Sequence, residues 1–312
     1  MNNLGYILAI SAGLVWGTIG ISALGLNDLG LNSYEISFVR TAFAFIFGKI
    51  FLIVRSRYLK KDSKSSIKKL SSKDRFNVIG LIIISGICCQ GMLNIFYSKS
   101  VAQVGTITGI MLMATGPIFT IIFSKIFFKE KLGLYKILSL IVTIFGSFLL
   151  ITEGNLNSLN FNYMGMMFGL LSGVCYGFFP IFNKTLIKYF DPMEATIYSF
   201  GVASLFLLFF LPMNFYTKLL NLDILSVGIF YALVPTLLAY MLYSQSMVYI
   251  SASSASIISL LEVPSTTFIG VLFLNEHVGF FKGLGIVIVF GGILLSKIER
   301  KKKFNRLVHF NK

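Results

Sequence analysis

Residues 13–20 read GLVWGTIG, and residues 173–180 read GVCYGFFP. Each stretch carries two glycines four residues apart, with an aromatic residue directly before the second glycine. Positions four apart lie on one face of a helix, and small residues on such a face let a neighbouring helix approach closely. Both stretches therefore predict tightly packed helices, and their likeness is the first indication of an internal repeat.

The surrounding sequence is too apolar for a soluble domain. Of the 312 residues, 56% are hydrophobic and 12% are charged, with a mean hydropathy of +0.83; soluble proteins have about a quarter charged residues. Apolar runs of about 20 residues predict membrane-spanning helices, and their continuity disfavours the alternating strands of a barrel. The sequence thus predicts an all-α polytopic membrane protein of ten transmembrane helices, at residues 4–24, 34–54, 77–97, 106–128, 133–152, 163–183, 194–213, 224–246, 252–274 and 279–297.

Basic residues indicate how these helices are oriented. Of the 27 Lys and Arg residues behind the net charge of +15, nine lie in 55–75 and seven in 297–312, both next to spans. Because basic loops stay in the cytoplasm, both termini are expected inside and 153–161 outside. This distribution predicts contacts with anionic lipids and no nucleic-acid partner. The first segment has no basic leader and no small-residue cleavage site, so we expect a retained span and not a signal peptide.

The reactive side chains form no recognisable catalytic or metal-binding pattern. Cys88, Cys89 and Cys175 lie in apolar segments, and His277 and His309 are far apart in the sequence. No metal site, redox pair, catalytic triad or phosphate loop is predicted. We therefore expect neither a cofactor nor an enzymatic activity.

The second half of the chain repeats the first. A shift of 160 residues superimposes Gly5, Gly13, Trp16 and Gly17 on Gly165, Gly173, Tyr176 and Gly177, and a shift of 146 superimposes Glu130 on Glu276. Each repeat has five spans, an odd number, so the second repeat is expected upside down, an arrangement typical of alternating-access transporters. The predicted units are 1–152, an external linker at 153–161, a second repeat at 162–298 and a basic cytoplasmic tail at 299–312.

Polar and aromatic positions within the spans predict a central cavity. Gln90, Asn94 and Tyr97 share a helix face, as do Tyr240 and Tyr243, and a polar face inside hydrocarbon should turn toward protein or water. Ordinary packing and interhelical hydrogen bonding are the alternative explanation. The expected substrate-binding residues are Trp16, Gln90, Asn94, Tyr97, Tyr176, Tyr240, Tyr243 and Glu262.

Glu262 lies near the middle of its span, where a charge is costly unless it is paired or shares a proton. It is expected to bind a cation or a proton, with a packing role as the alternative, and Pro264 is expected to remove a helical hydrogen bond beside it. Arg40 is a candidate charge partner that could instead extend toward the interface, whereas Lys49 is expected only to reach the cytoplasmic interface.

Several segments resemble the EamA-like branch of the drug/metabolite transporter superfamily. They are GLVWG in the first span, FVRTAFA at 38–44, and the endings GPIFTIIFSKIFFKEKLG and EVPSTTFIGVLFLNEHVG. The resemblance implies two inverted five-helix repeats around a central cavity in a bacterial inner membrane. It assigns gate or helix-end positions to Glu130 and Glu276. A valine separates Glu262 from Pro264 here, whereas the two residues are adjacent in other members.

The functional hypothesis is a secondary transporter that exports or exchanges a small metabolite by alternating access, with an amino acid as one candidate substrate and protons as a candidate coupling ion. A broad multidrug or lipid-intermediate carrier is one alternative, and a membrane receptor or assembly protein is another. Substrate identity, direction and oligomeric state stay open.

Overall fold

The computed structural model describes residues 2–59, 71–130, 132–189, 191–274 and 277–310, and within these ranges the regular structure is entirely helical. Interruptions divide several of the long apolar segments into two helices. The α-helices are α1 (Asn2–Trp16), α2 (Ile19–Asp28), α3 (Ser33–Leu59), α4 (Ser72–Ser85), α5 (Leu93–Met113), α6 (Gly116–Phe128), α7 (Leu134–Thr152), α8 (Tyr163–Leu186), α9 (Pro192–Leu207), α10 (Phe215–Lys218), α11 (Leu222–Tyr231), α12 (Ala239–Tyr249), α13 (Ala252–Ser259), α14 (Glu262–Leu274) and α15 (Phe280–Phe310).

Nine helical stretches of the described residues are long and apolar enough to cross a membrane. One of them, Asp74–Met113, is 40 residues long, about twice the length that a bilayer requires. Inside it, Gly105 has φ 80° and ψ 167°, a conformation that an L residue rarely adopts and that breaks the helix. The shorter apolar helix α6 (Gly116–Phe128) follows. The chain is therefore a polytopic helical membrane protein.

Two kinds of helix interruption occur in pairs with one spacing. π-helical segments lie at Gly86–Met92 and Ala232–Leu238, and positions 86 and 232 are 146 residues apart. Turns separate α5 from α6 at residues 114–115 and α13 from α14 at residues 260–261, again 146 residues apart. π-Helical segments are uncommon and are found mostly at functional sites. The paired positions indicate that the same local geometry recurs in the two halves.

The glycine faces pack as the sequence predicts. A Cβ atom added at Gly177 of α8 would lie 2.7 Å from the carbonyl oxygen of Gly116 and 2.7 Å from the Cβ of Phe119. A Cβ atom added at Gly17, directly after α1, would lie 2.6 Å from the Cβ of Ser265 on α14. Only glycine permits such an approach, so the prediction that these ladders bring helices close together is confirmed.

Five helix pairs make the most extensive contacts: α7 with α15, α5 with α8, α1 with α12, α3 with α9, and α6 with α8. Every pair joins a helix from before residue 153 to one from after residue 162. The largest buried apolar cluster lies among these helices and includes Trp16, Phe179, Phe200 and Tyr240. The centre of the fold is thus an aromatic region to which both halves contribute.

Candidate functional site

The aromatic centre joins side chains from four helices. Trp16 ends α1, and its ring centroid lies 5.1 Å from that of Tyr240 and 4.9 Å from that of Tyr243, both on α12. Phe179 on α8 and Phe200 on α9 lie 5.1 and 5.3 Å from the Tyr240 ring. The structure therefore brings together three predicted residues, Trp16, Tyr240 and Tyr243. We name the cluster of these five rings the aromatic wall.

Phe179 and Phe200 were missed by the sequence analysis. A phenylalanine in an apolar span gives no sign of whether it faces lipid or the protein interior. For Phe179 there is one usable signal, because it lies three residues after Tyr176 and so near the same face of α8.

Arg40 on α3 is held against the aromatic wall. Its Nη1 donates to the hydroxyl of Tyr231 and its Nη2 to the hydroxyl of Tyr240, each over 3.3 Å. The guanidinium carbon also lies 5.5 and 5.9 Å from the centroids of these two rings, within cation–π range. Arg40 is 7% exposed, so it is anchored inside the protein and does not extend toward the interface. Tyr231, a further residue that the sequence analysis missed, contributes half of this anchor.

Glu262 is the first residue of α14, directly after the turn at residues 260–261. In the part of the chain that the structure describes, its carboxyl group has no hydrogen-bond or ion-pair partner within 4.0 Å. The carboxyl group lies within electrostatic range of Arg40, Tyr97, Tyr176 and Tyr240. Glu262 and Arg40 therefore border one region without neutralising each other by direct contact.

The expected loss of a helical hydrogen bond at Pro264 falls at the break between α13 and α14. Pro264 lies in the first turn of α14 and has no backbone N–H to donate. The Leu260 carbonyl, to which an N–H at position 264 would have bonded, accepts instead from the Val263 N–H over 3.1 Å. The break in the helix thus precedes Glu262. Its carboxylate lies at the N-terminus of α14, where the helix dipole favours negative charge.

Gln90 and Asn94 belong to the π-helical segment and the turn after it. Gln90 is 1% exposed and its side chain approaches the Tyr240 hydroxyl. The Asn94 Nδ2 donates to the Gln90 backbone carbonyl, so the Asn94 amide provides a hydrogen bond to a carbonyl group of the π-helical segment. Gln90 lies beside the aromatic wall, whereas the Asn94 side chain bonds within its own helix.

Tyr97 and Tyr176 both lie within electrostatic range of Glu262. The Tyr176 hydroxyl donates to the Ser259 Oγ over 3.2 Å, which connects α8 to the end of α13. Its ring packs on Gly116 at the start of α6. The two tyrosines thus lie near the Glu262 carboxyl group.

Three buried N–H donors at this site have no acceptor among the described residues: the Trp16 Nε1, the Arg40 Nε and the Gln90 Nε2. All three side chains adjoin Tyr240. A buried donor without a partner costs about 1–3 kcal/mol. The arrangement therefore offers unused donors and a cation beside Tyr240, and an unused carboxylate at Glu262.

Glu130 lies in a separate polar cluster. Its Oε2 accepts from the Ser253 Oγ and lies 3.7 Å from the Lys136 Nζ, which itself donates to Ser251 and Ser253 over 3.1 and 2.8 Å. Lys184 donates to the backbone carbonyls of Met247 and, over 3.0 Å, Ile250. We name Glu130, Lys136, Lys184, Ser251 and Ser253 the polar latch. It ties α6, α7 and α8 to the turn between α12 and α13. Glu276, predicted as the equivalent of Glu130, lies outside the described residues.

Two of the cysteines meet in space. The Sγ atoms of Cys88 and Cys175 lie 3.7 Å apart, although 87 residues separate them in the sequence, and all three cysteines are free thiols. The sequence predicts no such pair, because nothing in the local pattern shows which faces of two spans are opposed.

Known proteins resemble this chain over nearly its whole length. The profile of the EamA-like transporter family matches residues 3–152 and 163–298. A protein named an uncharacterized inner membrane transporter, from Salmonella typhimurium, is 20% identical over 96% of this chain and 97% of its own. An uncharacterized transporter from Bacillus subtilis is 22% identical over 94% and 89%.

A solved structure, described only as a crystal structure of a protein, has the same fold. Its TM-score is 0.71 at 11% identity, and the match covers 94% of this chain and 96% of the other. The family and the names of the relatives indicate membrane transport and not enzymatic catalysis. With both halves matched by one family profile, the chain belongs to the EamA-like transporter family.

Proposed function

We propose that the protein is a secondary transporter that carries a small zwitterionic metabolite, such as an amino acid, across the bacterial inner membrane by alternating access. Ten spans form two inverted five-helix repeats, residues 1–152 and 162–298, joined by an external linker at 153–161. Both termini and the tail at 299–312 face the cytoplasm. Transport runs as export or exchange, and protons are the candidate coupling ion.

Quasi-equivalent contacts support the inverted repeat. Gly13 packs on Leu261 as Gly173 packs on Thr115, and Gly17 packs on Ser265 as Gly177 packs on Phe119. In each comparison the two glycines are 160 residues apart in the sequence, and the two residues on which they pack are 146 residues apart. The paired helix interruptions have this same 146-residue spacing. Two units that make the same contacts in opposite orientations are able to exchange conformations, which is the physical basis of alternating access.

The observation that carries the proposal is the pair of unneutralised charges in the interior. Among the described residues, Arg40 donates only to the hydroxyls of Tyr231 and Tyr240, and Glu262 has no ion-pair partner within 4.0 Å. The ammonium group of a zwitterionic ligand would pair with Glu262 and its carboxylate group with Arg40. Both contacts would lower the cost of burying the two charges. The unused donors of Trp16 and Gln90 would bond the carboxylate end.

The aromatic wall would hold the rest of the ligand. Trp16, Tyr240 and Tyr243 present ring faces and edges, which bind apolar groups by contact and an ammonium through the face. Because the wall contains residues from both halves, a rocking motion would separate its members and change its affinity. A ligand shifts such an equilibrium only by its different affinities for the two states.

The polar latch would close the cytoplasmic side. The 146-residue shift takes Lys136 to Lys282, which pairs with Glu153 over 2.9 Å, but takes Ser251 and Ser253 to Gly105 and Ile107, which have no hydroxyl group. The latch is therefore asymmetric between the two sides. Its closure supports a resting state that is sealed toward the cytoplasm.

Counterflow in proteoliposomes tests this function. Vesicles containing the protein are preloaded with one unlabelled compound and diluted into buffer that contains a trace of the same compound in labelled form. The compounds tested are amino acids, nucleosides and organic cations. We expect amino acids to drive accumulation of label and nucleosides to drive none. Accumulation driven by organic cations that lack a carboxylate, with none by amino acids, would contradict a zwitterion site and favour a broad-specificity carrier.

A further inference from the structure

A second recess lies away from the aromatic wall, between α3, α4 and α9. It has a volume of about 330 Å³ and is lined by Phe45, Ile79, Ile82, Ile83, Tyr198, Gly201, Val202, Ser204 and Leu205. Ile79, Ile83 and Leu205 are among the exposed apolar side chains, so the recess opens toward the hydrocarbon of the bilayer. We name it the lateral cleft. An apolar cavity of about 150 Å³ is enough to bind benzene, so the lateral cleft has room for a segment of a hydrocarbon chain.

A lysine lies beside this cleft. Lys49 is one helical turn from the lining residue Phe45, and its Nζ lies 4.8 Å from the ring centroid of Tyr198 and 3.4 Å from the Tyr198 hydroxyl. Across the ranges that the structure describes, no carboxylate lies within 4.0 Å of the Lys49 ammonium. The lateral cleft therefore has an apolar body and one cationic end.

The cationic end lies below the membrane surface. Arg55, six residues further along α3, pairs with Asp191 at the start of α9 over 2.8 Å and marks the end of the helix pair. At about 1.5 Å per residue, Lys49 lies roughly 9 Å deeper than Arg55. A lysine at this depth reaches toward the headgroups with its charge and keeps its stem in hydrocarbon. In the proposed topology this is the cytoplasmic leaflet.

We propose that the lateral cleft binds one anionic phospholipid of that leaflet, with an acyl chain in the cleft and the phosphate on Lys49. The chain contacts the isoleucines of α4 and the Gly201–Leu205 face of α9, and Tyr198 packs beneath the ammonium. A zwitterionic headgroup would bring a second cation to the same lysine, so the site favours phosphatidylglycerol over phosphatidylcholine. Because α3 and α9 come from different halves of the chain, the bound lipid touches the interface that moves in the proposed cycle.

Photo-crosslinking locates such a lipid directly. The protein is reconstituted in vesicles that contain phosphatidylglycerol or phosphatidylcholine with a diazirine in one acyl chain, irradiated, and digested for peptide mass mapping. We expect phosphatidylglycerol to label residues 79–83 and 202–205 more strongly than the outer faces of α7 and α15, which serve as the internal reference. Lys49→Gln should reduce this excess about fivefold, the effect expected of one lysine at an anionic surface.

Two further variants distinguish the contribution of the lipid acyl chain from that of the Lys49 charge. Ile83→Trp fills the cleft from its lipid side and should reduce labelling by both lipids, whereas Lys99→Gln, which removes another lysine packed on an aromatic ring, should change neither. Uniform labelling of all lipid-facing helices, or an unchanged pattern in Lys49→Gln, would overturn the proposal. So would an absence of lipid labelling at 79–83 together with a dimeric gel-filtration profile, because a second copy would then occupy the cleft. None of these outcomes depends on transport, so this proposal can fail while the proposed function stands.

Discussion

Trp16 and Tyr240 pack edge to face, with ring centroids 5.1 Å apart and ring planes at 76°. The two residues lie in different halves of the chain, on α1 and α12. An aromatic pair of this geometry contributes about 0.5–1.5 kcal/mol beyond the area that it buries. The contact therefore reports directly on how the two halves are arranged around the proposed site.

Trp16 is the only tryptophan in the chain, which makes it a fluorescent reporter of the site. A ligand bound at the aromatic wall should change the environment of the indole, so titration with a transported amino acid should shift or quench the emission to saturation. Nucleosides provide the negative control. An emission spectrum that stays constant while the same amino acid drives counterflow would place the ligand elsewhere.

Arg40→Lys keeps the positive charge but loses the planar fork that reaches Tyr231 and Tyr240 together. We expect counterflow to fall about tenfold, the effect of losing about 1.4 kcal/mol of binding. Arg55→Lys is the matched control, because Arg55 makes a partly exposed ion pair away from the site and should lose less than about twofold. Equal effects of the two substitutions would show that Arg40 has no special role.

Gly177→Ala and Gly291→Ala make the same change in two different surroundings. A Cβ at Gly177 meets the Gly116 carbonyl oxygen at 2.7 Å, whereas a Cβ at Gly291 has no atom within 4 Å. Overpacking costs about 1–3 kcal/mol, and alanine is up to about 1 kcal/mol better than glycine in an open helix position. Thermal unfolding should therefore show a lower Tm for Gly177→Ala only. A lowered Tm in Gly291→Ala, with none in Gly177→Ala, would contradict the packing described for α8.

Lys184→Met should loosen the polar latch, because it removes the bonds to the Met247 and Ile250 carbonyls. Hydrogen bonds to charged groups contribute about 1.5–3 kcal/mol, so the cytoplasmic side should open about tenfold more often. The readout is labelling of Ser256→Cys, in a background without other cysteines, by an impermeant thiol reagent added to inside-out vesicles. Lys99→Met is the control. Faster labelling in right-side-out vesicles would mean that the topology is reversed.

The sequence predicts the helical membrane class and the glycine faces, because both depend on local composition and spacing. It also predicts that Trp16, Tyr240 and Tyr243 come together, since the internal repeat identifies matched faces. It does not predict Phe179, Phe200 or Tyr231, whose side chains look the same in the sequence whether they face lipid or the interior.

The helix interruptions could not be predicted for a different reason. The π-helical segment Ala232–Leu238 contains Pro235, but Gly86–Met92 has no proline, so proline alone does not account for the widened turns. The break before Glu262 lies within the span predicted at 252–274, because the sequence does not show where the preceding helix ends. Boundaries that depend on tertiary contact are the part of this fold that local patterns leave undetermined.

Substitution of Glu262 by glutamine tests the central claim most directly. Glu262→Gln keeps the size of the side chain and its ability to hydrogen-bond, but it removes the negative charge that would bind an ammonium group or a proton. Counterflow of the transported amino acid is measured from pH 5 to pH 9 for both proteins, with equal yield and an unchanged gel-filtration profile as the control for folding. We predict that Glu262→Gln loses at least about tenfold in rate and retains no dependence on pH from this group. Wild-type rates with an unchanged pH profile would contradict the account and leave Glu262 a packing residue.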